Sequence, residues 1–226
     1  MRNRALNVVT ILIIAVVAVI SGLFAAFSTH EYWNLIWVAL IIIWMAIFAH
    51  TISRGHQQIL EKTLDRLNLA AADQALAFTA GRVEDLKLVG QRLQVPGKVT
   101  GVACWQQSLP VVKQQVAAAQ LSDRVKLVDS SMMNLPFANQ LFDLVMVDAA
   151  LHNITPAIQR GRALQEAARV LKANGTLVII DTKFMAEYQQ VLTNMGIDDL
   201  HVVKTGFNGW WGGPWITTKV LVAKRG

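Results

Sequence analysis

Two polar loops follow predicted buried strands and hold the side chains best suited to chemistry. The first loop is Asp129 to Met133 and the second is Asp148 to Asn153. Because ligands of open α/β sheets bind beyond the carboxyl ends of the strands, we expect both loops to line a site. His152 can act as a general base near neutral pH, and Asn153 can orient an acceptor by hydrogen bonds. The alternative is that both side chains cap the next helix and satisfy loop backbone.

Apolar runs without strict alternation predict strands that are covered on both faces, as in a parallel sheet. These runs are Gln74 to Phe78, Lys98 to Cys104, Val125 to Val128, Phe142 to Val147, Thr176 to Ile180, His201 to Thr205 and Thr217 to Ala223. The predicted helices are Gln57 to Leu69, Val83 to Leu93, Pro110 to Gln120, Ile158 to Leu171 and Met185 to Met195. This alternation predicts a three-layer α/β fold with right-handed crossovers. The last two strands have no helix between them and predict an antiparallel edge.

The beginning of the chain differs in character from the rest. Leu6 to Phe27 and Trp33 to Ile52 carry no charged residue, and each is long enough to cross a hydrocarbon core of about 30 Å as a helix. A cleaved signal peptide is the alternative for the first stretch, but its apolar run is too long and a second run follows at once. We therefore expect a transmembrane hairpin at 1–54, a linker helix at 55–72 and one α/β domain at 73–226.

Flanking charges predict how the hairpin is oriented. Arg2 and Arg4 precede the first predicted span, Arg54 follows the second, and the connection between the spans carries only Glu31. Positively charged flanks stay in the cytoplasm, so both termini and the globular domain should be cytoplasmic. The lipid bilayer is therefore the first expected partner.

Two groups of aromatic residues could contact partners. Trp37 and Trp44 share one helical face, which could pack on an integral membrane protein or merely on the first span and lipid. The glycine-rich stretch Gly209 to Trp215 could be a mobile aromatic lid or a membrane-surface contact, or its tryptophans could pack over the edge of the sheet. The sequence leaves these alternatives open.

Composition argues against several classes of function. The formal net charge is +6, but the basic residues are scattered, so no nucleic-acid partner is expected. Cys104 is the only cysteine, which excludes an intrachain disulfide. No cluster of Cys and His residues has the spacing of metal ligands, and no metal site is expected.

Four sequence blocks are similar to the central run of class I S-adenosylmethionine-dependent methyltransferases. They are KVTGV, SDRVKLVDSSMMNLPFANQLFDLVMVDAALHNI, ALQEAARVLKANGTLVIID and EYQQVLTNMGIDDLHVV, and their order and spacing match from about Asp73 to Lys224. The final GFNGWWGGPWITTKVLVAKR resembles the tail of a bacterial subgroup that carries two N-terminal spans. The resemblance implies a Rossmann-like seven-stranded sheet with its last strand antiparallel, held at the bacterial cytoplasmic (inner) membrane. It also implies that His152 and Asn153 lie at the mouth of the substrate pocket.

The resemblance implies where a cofactor would bind, and there this sequence departs from the family. The family's acid and glycine-rich turn after the first strand fall on Ala77 to Gly81. Ala77 replaces the acid, Thr79 replaces the first glycine, and only Gly81 remains. The acids after the second and third strands become Ala103 and Ser131. The vestigial cofactor-binding positions are Gly81, Thr79, Ala103, Ser131 and Met132.

The lost carboxylates should weaken cofactor binding strongly. A hydrogen bond to a charged acceptor contributes roughly 1.5–3 kcal/mol, so losing the ribose and methionine carboxylates costs about 3–6 kcal/mol, or roughly two to four decades in affinity. Asp129, Glu84 or Asp85 could substitute for them. The helix pattern, however, places Glu84 and Asp85 away from the apolar face, which predicts that both are solvated.

Two hypotheses follow. The eroded motifs favour a membrane-anchored, non-catalytic accessory or scaffold subunit of a membrane protein assembly, with no cofactor bound. The alternative is an active methyltransferase that binds S-adenosylmethionine and methylates a membrane-associated or small-molecule acceptor. A nucleoside-sized pocket beside Gly81 would favour the enzyme, whereas Phe78, Thr79 or Arg82 filling that space would favour the scaffold.

Overall fold

The computed structural model describes most of the chain, namely residues 2–28, 32–67, 69, 74–78, 82–93, 96–102, 109–211 and 215–226. The chain forms two compact units. The helical unit comprises Met1–His56 and Gly206–Thr217, and the sheet unit comprises Gln57–Thr205 and Thr218–Gly226. The loop between the last two strands thus belongs to the helical unit, although the strands on either side of it belong to the sheet unit.

Two long helices build the helical unit. Helix α1 spans Arg2–Ser28, helix α2 spans Asn34–His50, and a π-helical stretch follows α2 over Thr51–Gly55. The two helices approach closely at Gly22, because a Cβ atom there would lie 2.7 Å from Cγ2 of Val38. Most of their described large apolar side chains are exposed. A helix that is apolar all round is either a core helix or a membrane span.

Among the residues that the structure describes, one helix is long and apolar enough to cross a membrane by length and composition. It runs over Asn34–Arg66, with a mean hydropathy of 2.4 in its most apolar window. The described part of α1 gives a shorter apolar helix, Leu12–Ser28. The predicted second span, Trp33 to Ile52, falls almost entirely within the first of these helices. The two-span hairpin at 1–54 stays a prediction.

In the described part of the sheet unit, seven strands form one mixed sheet. They are β1 (Gln74–Phe78), β2 (Lys98–Val102), β3 (Val125–Val128), β4 (Phe142–Asp148), β5 (Leu171–Asp181), β6 (Asp199–Lys204) and β7 (Lys219–Lys224). Their order in the sheet is β3-β2-β1-β4-β5-β7-β6. Strand β7 runs antiparallel to both of its neighbours, β5 and β6. The other neighbouring pairs in the sheet, β3-β2, β2-β1, β1-β4 and β4-β5, are parallel. The predicted seven-stranded α/β sheet with its last strand antiparallel is therefore confirmed.

Helices cover both faces of the sheet. They are α3 (His56–Arg66), α4 (Val83–Arg92), α5 (Leu109–Ala118), α6 (Ala157–Val170) and α7 (Met185–Thr193). One apolar core lies between the sheet and α3, α4 and α5, and the other lies between the sheet and α6 and α7. Helix α3 falls in the predicted linker, and its Ile59, Leu60 and Leu64 are buried in the first core.

The start of β5 differs from the prediction. The strand was expected to begin at Thr176, but it begins at Leu171, which pairs with Phe142 before the register shifts. A turn lies inside this longer strand at Asn174, whose φ is +62°. Asn174 is held there by a hydrogen bond from its backbone N–H to the carbonyl of Arg225 at 2.8 Å. Asparagine tolerates this left-handed conformation better than most residues.

Arg169, near the end of α6, holds the segment that precedes β4. Its guanidinium donates to the carbonyl oxygens of Leu135 and Phe137 at 3.1 and 2.8 Å. It also donates to the Glu166 carboxylate at 2.7 and 2.8 Å. Glu166 accepts in turn from the backbone N–H of Leu135 at 2.8 Å. The hydrogen bond from Arg169 holds the pKa of Glu166 below its usual value.

Replacing Glu166 by Gln is expected to lower the free energy of unfolding by about 1.5–3 kcal/mol at neutral pH, which is roughly 3–12 °C in thermal midpoint. Because the folded-state pKa is lowered, this contribution is present above the unfolded pKa of about 4.3 and is lost as the pH falls through the folded value. The measurement is thermal unfolding of the full-length protein in mild detergent, at neutral pH and at acidic pH. The difference in thermal midpoint between native protein and the Glu166→Gln variant should become smaller at acidic pH.

Glu84→Gln is the matched control, because Glu84 is exposed on α4. This variant should unfold at the native midpoint at every pH. If the difference in thermal midpoint between native protein and Glu166→Gln stays constant as the pH falls, the Glu166 charge contributes nothing to stability.

Candidate functional site

Two buried acids mark the carboxyl ends of adjacent parallel strands. Asp148 ends β4 and Asp181 ends β5, and both side chains are almost fully buried. Asp148 is paired in register with Ile180. Since side chains alternate between the two faces of a sheet, Asp148 lies on the face of α4 and Asp181 lies on the face of α6 and α7. Each acid is the centre of a separate polar cluster.

The His152 cluster comprises His152, Asp181 and Tyr188. His152 lies in a short 3-10 turn, Leu151–Asn153, that follows β4. Its ring Nδ1 lies 2.6 Å from Oδ1 of Asp181, and its backbone N–H donates to Oδ2 at 3.1 Å. The Tyr188 hydroxyl donates to the same Oδ2 at 3.1 Å, and the backbone N–H of Thr182 donates to Oδ1 at 2.7 Å. The carboxylate is thus fixed from several sides and in turn orients the imidazole.

Burial and the neighbouring Asp181 carboxylate raise the pKa of Tyr188 well above its ordinary value. The tyrosine hydroxyl therefore keeps its proton at physiological pH and remains a donor to Asp181. A neutral donor of this kind steadies the carboxylate without neutralising it. The Tyr188 hydroxyl and the imidazole ring therefore both lie against the Asp181 carboxylate.

Arg160 braces the turn that carries His152. Its guanidinium donates to both oxygens of Glu187 at 3.0 and 2.8 Å and to the carbonyl of Ile154 at 2.9 Å. The guanidinium also lies 3.9 Å from the centroid of the Phe184 ring. The hydrogen bond with Glu187 raises the pKa of Arg160, so the guanidinium that joins α6 to α7 keeps its charge. The end of the 3-10 turn is thereby tied to two helices.

Asn153 makes a different contact from the predicted one. Its side chain is exposed, and Nδ2 donates to the carbonyl of Ala149 at 3.1 Å. This contact fits the alternative that Asn153 satisfies loop backbone. The helix-capping alternative is wrong for both predicted residues, because α6 begins after Pro156 with no side-chain cap. An exposed amide remains suited to contact a ligand as well.

The Arg82 cluster comprises Arg82, Asp85 and Asp148, on the opposite face of the sheet. Arg82 Nε lies 2.6 Å from Oδ2 of Asp85, and Arg82 Nη2 donates to Oδ2 of Asp148. Burial alone would lower the pKa of Arg82, but the Asp148 and Asp85 carboxylates outweigh it and the pKa is raised. The expectation that Asp85 is solvated was wrong, since its side chain is only 1 % exposed. Glu84 is exposed as expected.

The predicted cofactor positions divide into two sets. Thr79, Gly81 and Ala103 lie outside the described residues. Ser131 is exposed, and its Oγ accepts from the backbone N–H of Met133 at 3.2 Å. Met132 packs into the core beneath α6 and α7. The hydroxyl of Ser131 therefore serves a local turn, and Met132 is chiefly a core residue.

The described residues supply a carboxylate close to the place where the sequence lacks one. Ala77 on β1 is paired in register with Met146 on β4, and Asp148 is two residues beyond Met146. Asp148 is therefore on the same face of the sheet as Ala77, one strand away. Asp85, in the first turn of α4, adds a second carboxylate to this cluster. Carboxylates bind positively charged amino groups, but both of these are already paired with Arg82, so the cationic methionine end of S-adenosylmethionine would bind here only in place of the Arg82 guanidinium.

Sequence reasoning missed Arg160, Asp181 and Tyr188. The sequence did contain a signal for Arg160. This residue lies at helical spacing from Ala163 and Ala167, so it falls on the apolar face of α6. A charged residue on the buried face of a helix must find a partner. Asp181 closes the apolar end of β5, as Asp148 closes β4.

Comparisons with known proteins agree with this architecture. Residues 76–179 match the family model described as "Methyltransferase domain". A demethylmenaquinone methyltransferase from Lactiplantibacillus plantarum is 32% identical over 127 residues, which are 56% of this chain and 52% of that protein. One from a Geobacillus species is 30% identical over 57% of this chain and 53% of its own length. The chain spans about half the length of the curated relatives it matches.

Solved structures show the same fold at low sequence identity. A SAM-dependent methyltransferase from Aquifex aeolicus superposes with a TM-score of 0.60 at 19% identity, covering 73% of this chain and 88% of that one. Geranyl diphosphate C-methyltransferase from Streptomyces coelicolor, solved with S-adenosyl-L-homocysteine, gives a TM-score of 0.61 at 14% identity and covers 75% and 76%. At such identities the likeness concerns the fold alone.

Proposed function

We propose that this chain is an S-adenosylmethionine-dependent methyltransferase with a membrane-associated acceptor, which is supported by the match of residues 76–179 to the family model described as "Methyltransferase domain". The observation that carries the proposal is the His152 cluster at the carboxyl ends of β4 and β5. A histidine oriented by a buried carboxylate is the arrangement that a general base needs. The comparisons support this active reading better than the non-catalytic scaffold that the eroded motifs favoured.

His152 would take a proton from the acceptor as the acceptor attacks the methyl group. With Nδ1 held against Asp181, the ring's Nε2 is the nitrogen that accepts the proton. Asp181 then stabilises the imidazolium that forms, and Tyr188 and the backbone of Thr182 keep Asp181 in place. S-adenosylmethionine, when bound, supplies the methyl group, and Asp148 with Asp85 would hold its positively charged end.

The acceptor that fits best is a lipid-soluble ring with an ionisable hydroxyl. A general base is useful only where the acceptor must lose a proton, as a hydroxylated ring does. The name of the curated relatives points to demethylmenaquinone, whose reduced (quinol) form carries ring hydroxyls, and the apolar helices α1 and α2 point to a bilayer as the place where such an acceptor is met. Under the same proposal both termini and the sheet unit lie on the cytoplasmic side of a bacterial inner membrane.

A second candidate function rests on the Arg82 cluster. Arg82 already binds Asp85 and Asp148, and neither Ala77 nor Ser131 offers a carboxylate. The space beside Gly81 lies outside the described residues, but a guanidinium that already occupies both carboxylates supports a non-catalytic accessory or scaffold subunit. Its partner would be an integral membrane protein that packs on the Trp37 and Trp44 face.

Calorimetric titration of S-adenosylmethionine and S-adenosylhomocysteine into the full-length protein in detergent separates the two functions. We expect native protein to bind both compounds. We expect Asp148→Asn to bind them about 10- to 100-fold more weakly, because it removes a charged acceptor. A parallel titration uses a variant, here called the restored variant, in which the acids and the glycine of the family's cofactor motif are put back. Its substitutions are Ala77→Asp, Thr79→Gly, Ala103→Asp and Ser131→Asp.

Binding by the restored variant, but not by native protein, would overturn the enzyme in favour of the scaffold. Absence of binding by both would reject a methyltransferase site altogether. If native protein binds, a fall in affinity for Glu84→Gln equal to that for Asp148→Asn would show that Asp148 does not hold the cofactor.

A further inference from the structure

The segment Gly206–Thr217, here called the aromatic loop, is built into the helical unit. It begins with a 3-10 turn over Gly206–Gly209, and Trp210 pairs with Thr217 as an isolated antiparallel bridge. Residues 206–211 and 215–217 of the loop are described. Its composition, rich in Trp and Gly, is unlike that of an ordinary strand connection.

Hydrogen bonds and aromatic contacts hold the aromatic loop against the C-terminal end of α2. The His50 ring Nε2 lies 3.2 Å from Oδ1 of Asn208, and the Thr51 hydroxyl donates to the carbonyl of Trp210. The His50 ring also lies 5.0 Å from the Phe207 ring, measured between centroids. These contacts join residues that are more than 150 positions apart in the chain. The loop is thus a fixed part of this end of the helix.

The close approach depends on a glycine. A Cβ atom at Gly55 would lie 2.1 Å from the backbone oxygen of Asn208, which is far inside van der Waals contact. Two further ring contacts complete the packing, since the Phe48 ring lies 6.0 Å from that of Trp211 and stacks on that of Trp44 at 5.5 Å, both measured between centroids. The local sequence of α2 and the loop are therefore matched to each other.

The outer side of the loop is apolar and exposed. Trp215 is 71 % exposed, and Phe207 and Ile216 are each 48 % exposed. Arg54, in the π-helical stretch beside Gly55, is also exposed. Large apolar groups together with a cation are the composition of a surface that lies against headgroups and acyl chains.

The position of the loop along α2 indicates what covers it. The helix has 17 residues, which gives it a length of about 25 Å, close to a hydrocarbon core of about 30 Å. Exposed Tyr32 and Trp33 stand at its start, and the loop brings Trp210, Trp211 and Trp215 to its end. Tryptophan and tyrosine collect at the two interfaces of a bilayer. The aromatic loop therefore lies where the aromatic belt of the second membrane interface is expected.

We propose that the aromatic loop is a membrane-interface anchor, with its Trp215, Ile216 and Phe207 side chains in the headgroup–acyl boundary of a lipid bilayer. This inference is independent of methyl transfer, because a scaffold would use the same anchor. Lipid is the occupant of choice because α2, whose end the loop contacts, itself exposes large apolar side chains, among them Ile36, Trp37, Leu40, Ile42 and Ile43. The expectation that these tryptophans merely cover the edge of the sheet does not explain the exposure of Trp215.

The test places a fluorescent label on the loop in full-length protein with Cys104→Ser. Trp215→Cys carries an environment-sensitive fluorophore, and the protein is reconstituted into vesicles of zwitterionic and anionic phospholipid. The matched control carries the label at Ile158→Cys, an exposed apolar position on α6 that is 68 % exposed. Ile216→Cys is the second loop variant, for use if Trp215→Cys does not fold. Both quenching by spin-labelled lipid and quenching by aqueous iodide are measured.

We expect the loop label to show blue-shifted emission, strong quenching by lipid nitroxides near the headgroups and weak quenching by iodide. The Ile158 label should show the opposite pattern. Equal iodide quenching of both labels would overturn the anchor. Shielding of the loop label from iodide and lipid alike would also overturn it and would point to a protein partner, or to a second copy if the shielding disappears on dilution.

Discussion

Replacing Asp181 by Asn is expected to lower kcat for methyl transfer by about 10²- to 10⁴-fold, the range that general-base catalysis contributes. In the proposed function Asp181 is a positioning residue, because it would act on the acceptor only through His152. Asparagine keeps the size of the side chain but not its charge, so the imidazolium loses its stabilisation and the ring loses its fixed orientation. The measurement is kcat and KM for the protein in detergent over a range of pH, with binding of S-adenosylmethionine measured separately.

A purely structural role for Asp181 would give a different result. If Asp181 acts through His152, Asp181→Asn shifts the pH profile of kcat, leaves cofactor binding near the native value and is partly rescued by Asp181→Glu. Tyr188→Phe removes one hydrogen bond and no charge, so it should cost far less. A native pH profile for Asp181→Asn would contradict the role, as would a loss of activity in parallel with thermal stability.

The fold was predictable from the sequence because its signals are local. Buried parallel strands read as short apolar runs, and Asn174 and Gly196 show the positive φ values that mark turns. The end of each strand could be placed to within a few residues, and with it the site at the end of β4. The start of β5 was missed because it depends on pairing with Phe142, some thirty positions earlier.

The chemistry of the site was less predictable because its partners are distant in sequence. Arg82 meets Asp148 across 66 positions, and His152 meets Asp181 across 29. Asp85 was expected to be solvated from helical periodicity alone, which contains no information on a counter-charge three residues earlier. Once the Arg82 guanidinium is next to it, burial of this carboxylate is tolerable.

The position of Asp148 changes how the absence of an acid at Ala77 is interpreted. A sequence motif records the residue at one position of one strand, whereas a ligand binds to whatever groups surround it in the folded protein. Asp148 offers on β4 the charge that β1 lacks at Ala77, on the same face of the sheet. A sequence pattern can therefore look eroded while the charge at that end of the sheet is retained. This is why binding, measured directly, decides between enzyme and scaffold.

Replacing Arg82 by Met is expected to lower the free energy of unfolding by about 3–5 kcal/mol, or roughly 6–20 °C in thermal midpoint. The substitution keeps an apolar chain of similar length but removes the guanidinium from Asp85 and Asp148, both of which are buried. Desolvated carboxylates without that partner have raised pKa values, and such groups lose stability as the pH rises. The deficit should therefore be larger at alkaline than at mildly acidic pH, as measured by thermal unfolding in detergent.

Arg92→Met provides the matched control for this ion pair. Arg92 pairs with Asp65 at 2.8 Å, but Asp65 is 58 % exposed, so its loss should cost at most about 1 kcal/mol. Adding Asp85→Asn and Asp148→Asn to Arg82→Met should recover part of the lost stability, because the buried charges then disappear together. Equal midpoints for Arg82→Met and Arg92→Met would show that the Arg82 cluster behaves as a solvated surface pair. In that case its carboxylates would be open to a cofactor without competition from Arg82.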